Sequence, residues 1–389
     1  MTKIRLTIFD ETLRDGEQQV GLFLDHNTKG NLAQLIAQTG VHHLALMPAI
    51  HNTEAALVSS LINQGLQKQI VASTMMGESF IRQSQECGAQ TLILFHAVSD
   101  RLLWLRDEKI RQDPLHRQKT IDEVADLQLI EQVRGRMLNK VLAHLNYAKS
   151  LGLKICFAAE DASRADFDFL VECITKFEPY LEHFLLCDTV GILTPETTKY
   201  WIRNLLEFAP NASLNVHFHN DSGLALENTI QALMSGATGI SGTFGGIGER
   251  AGNVAIEQVL HGIKLRLGWE VEGINYDALA KVGKYLAQHN IKANMPFSPE
   301  ALRYETGIHV QSLLRDRYSY YLFPYGEPEI WFGKCSGASN FKYLFEHYLN
   351  DPRSEQEYQR YREIIKAISI EQKRSFSAQE VLKILKNKI

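Results

Sequence analysis

The sequence predicts an α/β chain folded as a (β/α)8 TIM barrel with a mainly helical C-terminal extension. Three observations carry that prediction. Eight short β-rich segments alternate with helical stretches up to about residue 265, polar residues fall at the C-terminal ends of those segments, and the strand rhythm then gives way to helical patterns. The length of 389 residues suits such a plan, since one barrel takes about 250 residues and leaves a smaller second unit. The expected division is a barrel over 1–268 and helical subdomains over 269–389.

In chain order the expected strands are residues 4–11, 43–48, 69–74, 91–98, 154–160, 183–190, 214–219 and 239–245. A doubly wound sheet is the competing arrangement. The barrel is preferred because of where the polar residues fall. Asp10 and Asp15, Ser99 and Asp100, Glu160 and Asp161, Asp188 and Thr189, and His217 to Asp221 all sit at or just past strand ends, where a barrel gathers its catalytic groups. Between the fourth and fifth strands the chain makes a long charged excursion, 106–126, expected as solvated surface, with a lid as the alternative. An amphipathic helix follows, with Val133, Met137, Val141 and Leu145 at helical spacing. After the barrel, helical patterns are interrupted by an aromatic, proline-containing stretch at 318–331. The last helix opens on Ser377-Ala-Gln-Glu380, a capping box in which serine and glutamate satisfy each other's end of the first turn. No internal repeat or low-complexity tract is evident.

Composition narrows the function classes. Hydrophobic residues make up 45% and charged residues 22%, ordinary values for a folded globular chain. The net charge is −4, from 41 basic and 45 acidic residues that are interspersed, so no whole-protein field favours nucleic acid or an anionic membrane. No apolar stretch approaches the roughly 20 residues of a membrane span, and the N-terminus lacks a signal-like apolar region, so the expected location is cytoplasmic. The five cysteines are odd in number and never form CxxC, which indicates reduced thiols instead of a disulfide frame or zinc knuckle.

The strongest local chemistry lies in Val216-His217-Phe218-His219-Asn220-Asp221. Alternate residues on a strand face one side, so both imidazoles share one space. By itself a His-x-His pair fits satisfied core or surface histidines as well as it fits metal ligands. Asp15, just past the first strand, and Asn253, after the eighth, are the candidate oxygen ligands. Such a mixed N/O set suits Mg, Mn or Zn acting as a Lewis acid on a chelated oxo acid. The glycines of Gly246-Ile-Gly-Glu-Arg-Ala-Gly-Asn253 also fit a dinucleotide loop, but they follow the last strand and do not open a first βαβ unit. No GxSxG elbow or Walker loop is present.

The run Phe9-Asp-Glu-Thr-Leu-Arg-Asp-Gly-Glu-Gln18, with the His217/His219 pair and Gly248-Glu-Arg-Ala-Gly-Asn253, resembles the metal-dependent barrels that include 2-isopropylmalate, homocitrate and citramalate synthases and hydroxymethylglutaryl-CoA lyase. Thr306-Gly-Ile-His309-Val and Gly333-Lys-Cys-Ser-Gly337 resemble the synthase C-terminal subdomain, so the likeness spans nearly the whole chain. It implies metal ligation by Asp15, His217 and His219, with Asn253 in or beside the coordination sphere. It implies that Arg14 steadies the oxo oxygen, that Glu160, Arg164 and Thr189 belong near the oxo acid, and that His309 is the general acid or base delivered from a partner subunit. The implied reaction is a Claisen-type condensation of the co-substrate acetyl-CoA with a 2-oxo acid, driven by thioester hydrolysis, in a homodimer. Glu160 is a helper in proton transfer if burial raises its pKa.

Several positions depart from the family pattern: Ala45 where glutamate is usual, Cys335 where GKHSG has histidine, and Gly245 where asparagine is frequent. The run 160–166 and the length look most similar to homocitrate synthases associated with nitrogenase cofactor assembly. Cys156, however, stands where lysine-pathway homocitrate synthases place an arginine for the distal carboxylate of 2-oxoglutarate, and His96 is an alternative anchor. Open alternatives are 2-isopropylmalate, citramalate or phosphonomethylmalate synthesis, hydroxyacyl-CoA cleavage, and a catalytically silent paralogue that binds ligand.

Overall fold

The computed structural model describes residues 1–321 and 326–386. Eight parallel strands close into a barrel: β1 Thr7–Asp10, β2 His43–Leu46, β3 Ile70–Thr74, β4 Thr91–Ala97, β5 Lys154–Glu160, β6 His183–Asp188, β7 Leu214–Phe218 and β8 Gly239–Gly242. Closure is made by β1 against β8, with Phe9 opposite Ser241 and Asp10 opposite Gly242. All eight expected strands are present. One expectation changes, because residues 4–11 do not form a single strand. Thr2–Ile4 leaves the barrel and pairs in parallel with Trp269–Val271, the first segment after it.

Eight principal helices follow the strands in turn: α1 His26–Ala37, α2 Asn52–Leu61, α3 Glu78–Glu86, α4 Leu127–Ser150, α5 Phe167–Phe177, α6 Pro195–Phe208, α7 Ala225–Met234 and α8 Ile256–Leu267. Several start on aspartates that accept from the first turn, Asp25 from Thr28, Asp126 from Leu129 and Asp166 from Phe169, so otherwise orphaned N–H groups are satisfied. In α4 the stripe Val133, Met137, Val141 and Leu145 is buried, as its spacing predicts.

The strands are covered on both faces, which explains their apolar runs. Inside the barrel a compact plug contains Phe9, Ala45, Val71, Ile93, Cys156, Ala158, Leu185 and Cys187, with Phe95 packed against it. Phe9 of this plug stacks on His43 at 4.4 Å, with His183 edge-on to both. Burial lowers the His43 imidazole to about 3 and also lowers His183.

The C-terminal region contains α9 Tyr276–Gln288, α10 Gly307–Leu313, α11 Glu355–Gln372 and α12 Ala378–Lys386. The capping box at Ser377 and Glu380 is present, with the Ser377 N–H donating to Glu380 Oε2 at 2.9 Å. Part of the aromatic stretch, 322–325, lies outside the described residues, as do residues 387–389. The buried apolar cluster runs without a break from the barrel helices to Tyr304, Phe332, Phe341 and Ile365. A buried charge group reinforces the junction: Lys334 reaches Glu17 at 2.7 Å and Glu54 at 3.2 Å, while Lys29 of α1 holds the same two carboxylates.

The charged excursion is mostly exposed, as expected, and is tethered at a few points. Arg315 donates to the carbonyls of Leu105 and Arg117, the Trp104 indole donates to Lys119 O at 2.8 Å, and Arg101 joins Asp122 to Asp316. Within 106–126 the Arg117 carbonyl accepts from Arg315 of the C-terminal region at 2.9 Å, while most of the side chains are exposed. The five cysteines are free thiols. Among the described residues no helix is long and apolar enough to cross a membrane.

Candidate active site

Past β1 the chain folds back on itself, with the N–H groups of Arg14 and Gly16 both donating to Glu11 O at 3.0 Å. This turn brings Asp15 over the open end of the barrel. His217 near the end of β7 and His219 just beyond it enter the same space by strand alternation. Their Nε2 atoms each lie 3.8 Å from Asp15 Oδ2, and all three residues are buried. His217 Nδ1 stands 3.0 Å from Ser241 Oγ, which fixes its ring. The Asn253 amide donates to Asp15 Oδ1 at 2.7 Å and to Ile247 O at 3.1 Å, leaving its own Oδ1 buried without a partner.

Electrostatics set the protonation states. Burial pushes the Asp15 carboxyl up, but His219, Arg14 and His217 together outweigh it and hold it well below the usual carboxylate range. Burial lowers both imidazoles. A buried carboxylate, two neutral imidazoles and an unpartnered amide oxygen therefore converge. That donor set fits a divalent cation of hard to borderline character and contains no thiolate. The loop after β8 comes close to this centre: a Cβ on Gly248 would stand 2.2 Å from Asn253 Nδ2 and 2.7 Å from Asp15 Oδ1.

Around the centre is a cavity of about 1180 Å³. Arg14 lines it, held by Glu11 Oε2 at 2.7 Å and Asp15 Oδ2 at 3.1 Å. Thr189 also lines it; its hydroxyl accepts from the Asp161 N–H at 2.8 Å and its carbonyl accepts from Arg250 at 2.5 Å. His309 lies across the cavity in α10, with Nδ1 3.0 Å from Glu249 Oε2 and its ring stacked on Tyr320 at 3.9 Å. The Thr306 hydroxyl donates to the other Glu249 oxygen. His309 meets Glu249 within one chain.

Other expectations change as well. Glu160 lines the cavity, but Arg106 grips it through Nη1 at 2.5 Å and Nη2 at 2.9 Å, and the Tyr320 hydroxyl donates to it. Burial alone would raise its pKa; the Arg106 charge and hydrogen bonds win, and it falls to about 2. Glu160 is thus a locked carboxylate and a weak base. Arg164 braces the fold: it holds the Asp161 carboxylate at 2.7 and 2.8 Å and donates to the carbonyls of Tyr318 and Ser319. His96 points away from the barrel interior, since its neighbours Ile93 and Phe95 face inward. Its Nδ1 lies 2.9 Å from Ala97 O, and burial lowers it to about 4. Neither Arg164 nor His96 lines the cavity.

Of the departures, Ala45 lies in the interior plug and Cys335 lines the cavity. Gly245 is elsewhere, at φ +71 with its N–H on the Glu257 carboxylate. Sequence reasoning missed Glu249, Arg106 and Tyr320. Glu249 stood inside a quoted motif, and Arg106 opened a segment expected as surface. Tyr320 stood inside the aromatic stretch at 318–331, with nothing to distinguish it from its aromatic neighbours.

The HMGL-like family profile matches residues 5–285. The homocitrate synthase AksA of Methanothermobacter thermautotrophicus is 32% identical over 358 residues, covering 88% of this chain and 84% of its own. A homocitrate synthase of Saccharolobus islandicus is 31% identical, covering 90% of this chain and 71% of its own. Among solved structures, the HMG-CoA lyase of Brucella melitensis superposes with a TM-score of 0.56 at 18% identity, covering 75% of this chain and 99% of its own. The hydroxymethylglutaryl-CoA lyase of Pseudomonas aeruginosa gives 0.57 at 18% identity, covering 77% and 96%. These likenesses concern the barrel fold.

Proposed function

Because this chain belongs to the HMGL-like family, we propose that it is a homocitrate synthase-like condensing enzyme that joins acetyl-CoA to a 2-oxo acid. The observation that carries the reading is the convergence in one cavity of the Asp15, His217 and His219 cluster, the Arg14 guanidinium and the His309–Glu249 pair. A divalent cation held by Asp15, His217 and His219, with Asn253 beside it, would polarise the oxo group of a chelated acid.

Arg14 is fixed by Glu11 and Asp15, so its charge is in place before substrate arrives and needs no reorganisation as negative charge develops on the oxo oxygen. The Glu249 carboxylate lies 3.0 Å from His309 Nδ1, and Nε2 is the nitrogen that takes a proton from the acetyl methyl group. The resulting carbanion attacks the oxo carbon. Water then cleaves the thioester, releasing CoA as its thiol and a 2-hydroxy acid with a new carboxymethyl arm. Exposed cations that line the cavity, Arg111, Arg117 and Lys342 among them, suit the phosphates of the CoA tail. The Glu160 carboxylate stays ionised in its pair with Arg106, with a pKa of about 2.

The decisive experiment mixes acetyl-CoA with a panel of 2-oxo acids and Mg, Mn or Zn and follows thiol release. Release with one oxo acid supports the reading, and none with any acid refutes it. Cleavage of a 3-hydroxyacyl-CoA in the same assay would move the chain to lyase chemistry.

A further inference from the structure

The two strands whose pairing closes the barrel, β1 and β8, each send a loop to the metal cluster. The turn after β1 carries Asp15, and the loop after β8 carries Asn253, which donates to Asp15 Oδ1 at 2.7 Å across 238 positions. A site assembled from such distant pieces works only if their spacing is held, to about 0.5 Å.

Gln19 spans that gap. It closes the short helical turn Gly16–Gln18 that follows Asp15, its own N–H donating to Gly16 O at 3.3 Å, and it is buried. Its side-chain Oε1 accepts from the Gly248 N–H at 3.3 Å, while Nε2 donates to Lys292 O at 2.9 Å and lies 3.4 Å from Asn294 Oδ1. Asn294 in turn donates to Arg250 O at 2.8 Å. These bonds close a triangle. Two corners are the loops that carry Asp15 and Asn253, and the third is residues 289–294, which follow α9 in the C-terminal region. Other ties run the same way: buried Lys334 reaches Glu17, two residues beyond Asp15, and the Thr306 hydroxyl donates to Glu249, next to Gly248. The C-terminal region thus grips both loops through residues that are not themselves in the metal cluster.

We propose that Gln19 is a positioning residue of the metal centre, through which docking of residues 289–294 and binding of a divalent cation reinforce each other. The proposal rests on the reading that Asp15, His217 and His219 hold a cation. Glutamine suits the task because one amide supplies both the acceptor for Gly248 and the donor for Lys292. Linkage makes the effect reciprocal: the factor by which docking tightens the cation is the factor by which the cation tightens docking. Residues 289–294 therefore respond to a cation they do not touch.

Two measurements on the full-length protein test this: Mn titration by calorimetry, and hydrogen–deuterium exchange of the peptide covering 289–296 with and without Mn. In the wild type Mn should bind and slow exchange in that peptide. Gln19→Met keeps the length of the side chain and removes both hydrogen bonds. It should weaken Mn about tenfold and abolish the Mn-dependent slowing, with the circular dichroism spectrum unchanged. A purely structural role for Gln19 would lower the melting temperature and leave both readouts where they were, which overturns the proposal. Asn294→Ala, at a half-buried position, keeps the test decisive where Gln19→Met does not fold. It should move both readouts in the same direction, with Mn weakened about threefold or more, and unmoved readouts again overturn the proposal. Failure of the wild type to bind Mn removes the cation reading and this proposal with it, whereas tight Mn binding that neither variant alters removes the proposal alone.

Discussion

Glu160 and His309 face the same cavity, yet their partners give them different work. Glu160 is clamped by a guanidinium, so Glu160→Gln should leave the buried Arg106 charge without its counter-ion and cost about 3 kcal/mol in urea denaturation. The same variant has a pH signature. The folded pKa of about 2 lies below the ordinary 4.5, so this stabilisation is fully present above pH 4.5 and is lost as pH falls towards 2. The variant should therefore show a shallower acid limb than the wild type. His309→Gln should lower kcat by about 10²–10⁴ with Mn affinity intact, whereas His217→Ala should abolish Mn binding measured by calorimetry. The cluster of Asp15, His217 and His219 was legible in the sequence because strand alternation and motif order both act locally. The state of Glu160 was not, because its clamp comes from Arg106, 54 positions away in a segment that looked like surface. His96 misled for a simpler reason: a strand has two faces, and a single polar residue near its end does not say which face it takes.

At the scale of elements, the loop after β8 controls the centre as closely as the strands do. Gly248 adopts φ +151 and leaves no room for a Cβ beside Asn253 and Asp15. Gly248→Ala should therefore cut Mn affinity about 10–100-fold, measured by calorimetry, while far-UV circular dichroism stays unchanged. Helix α4 offers a contrast, since it touches no site residue of the cluster and acts through packing. Leu145 is fully buried, and Leu145→Ala should cost about 2–5 kcal/mol, read from the urea midpoint, with Mn affinity retained. That helix was fully legible, because four apolar residues at helical spacing specify a buried face. The boundary at the N-terminus was not: Thr2–Ile4 and Thr7–Asp10 have similar local preferences, and only pairing with Trp269–Val271 separates them. The excursion is largely exposed, as its charges suggested; what periodicity does not reveal is the tether by which Arg315 reaches its Arg117 carbonyl.

For the whole molecule, the eightfold alternation revealed the barrel, while the attachment of the C-terminal region lay beyond periodicity. That attachment is extensive, with a shared apolar cluster and the buried Lys334, Glu17, Glu54 and Lys29 group. A fragment ending at residue 268 would strip Lys334 from two buried carboxylates and expose apolar faces of the barrel helices. It should unfold at a lower temperature than the full chain in differential scanning calorimetry, and the full chain should melt in one transition.

The closure of β1 on β8 has a consequence in time. Phe9 cannot meet Ser241, nor the Phe244 N–H the Thr12 hydroxyl across 232 positions, until most of the chain has been made. Contacts of that sequence separation are slow to form because so much chain must be ordered first. Asp15 and the two histidines lie on opposite sides of this seam. During refolding from urea, helical signal should return early and the capacity to bind Mn should return last, marking the moment at which the ring shuts.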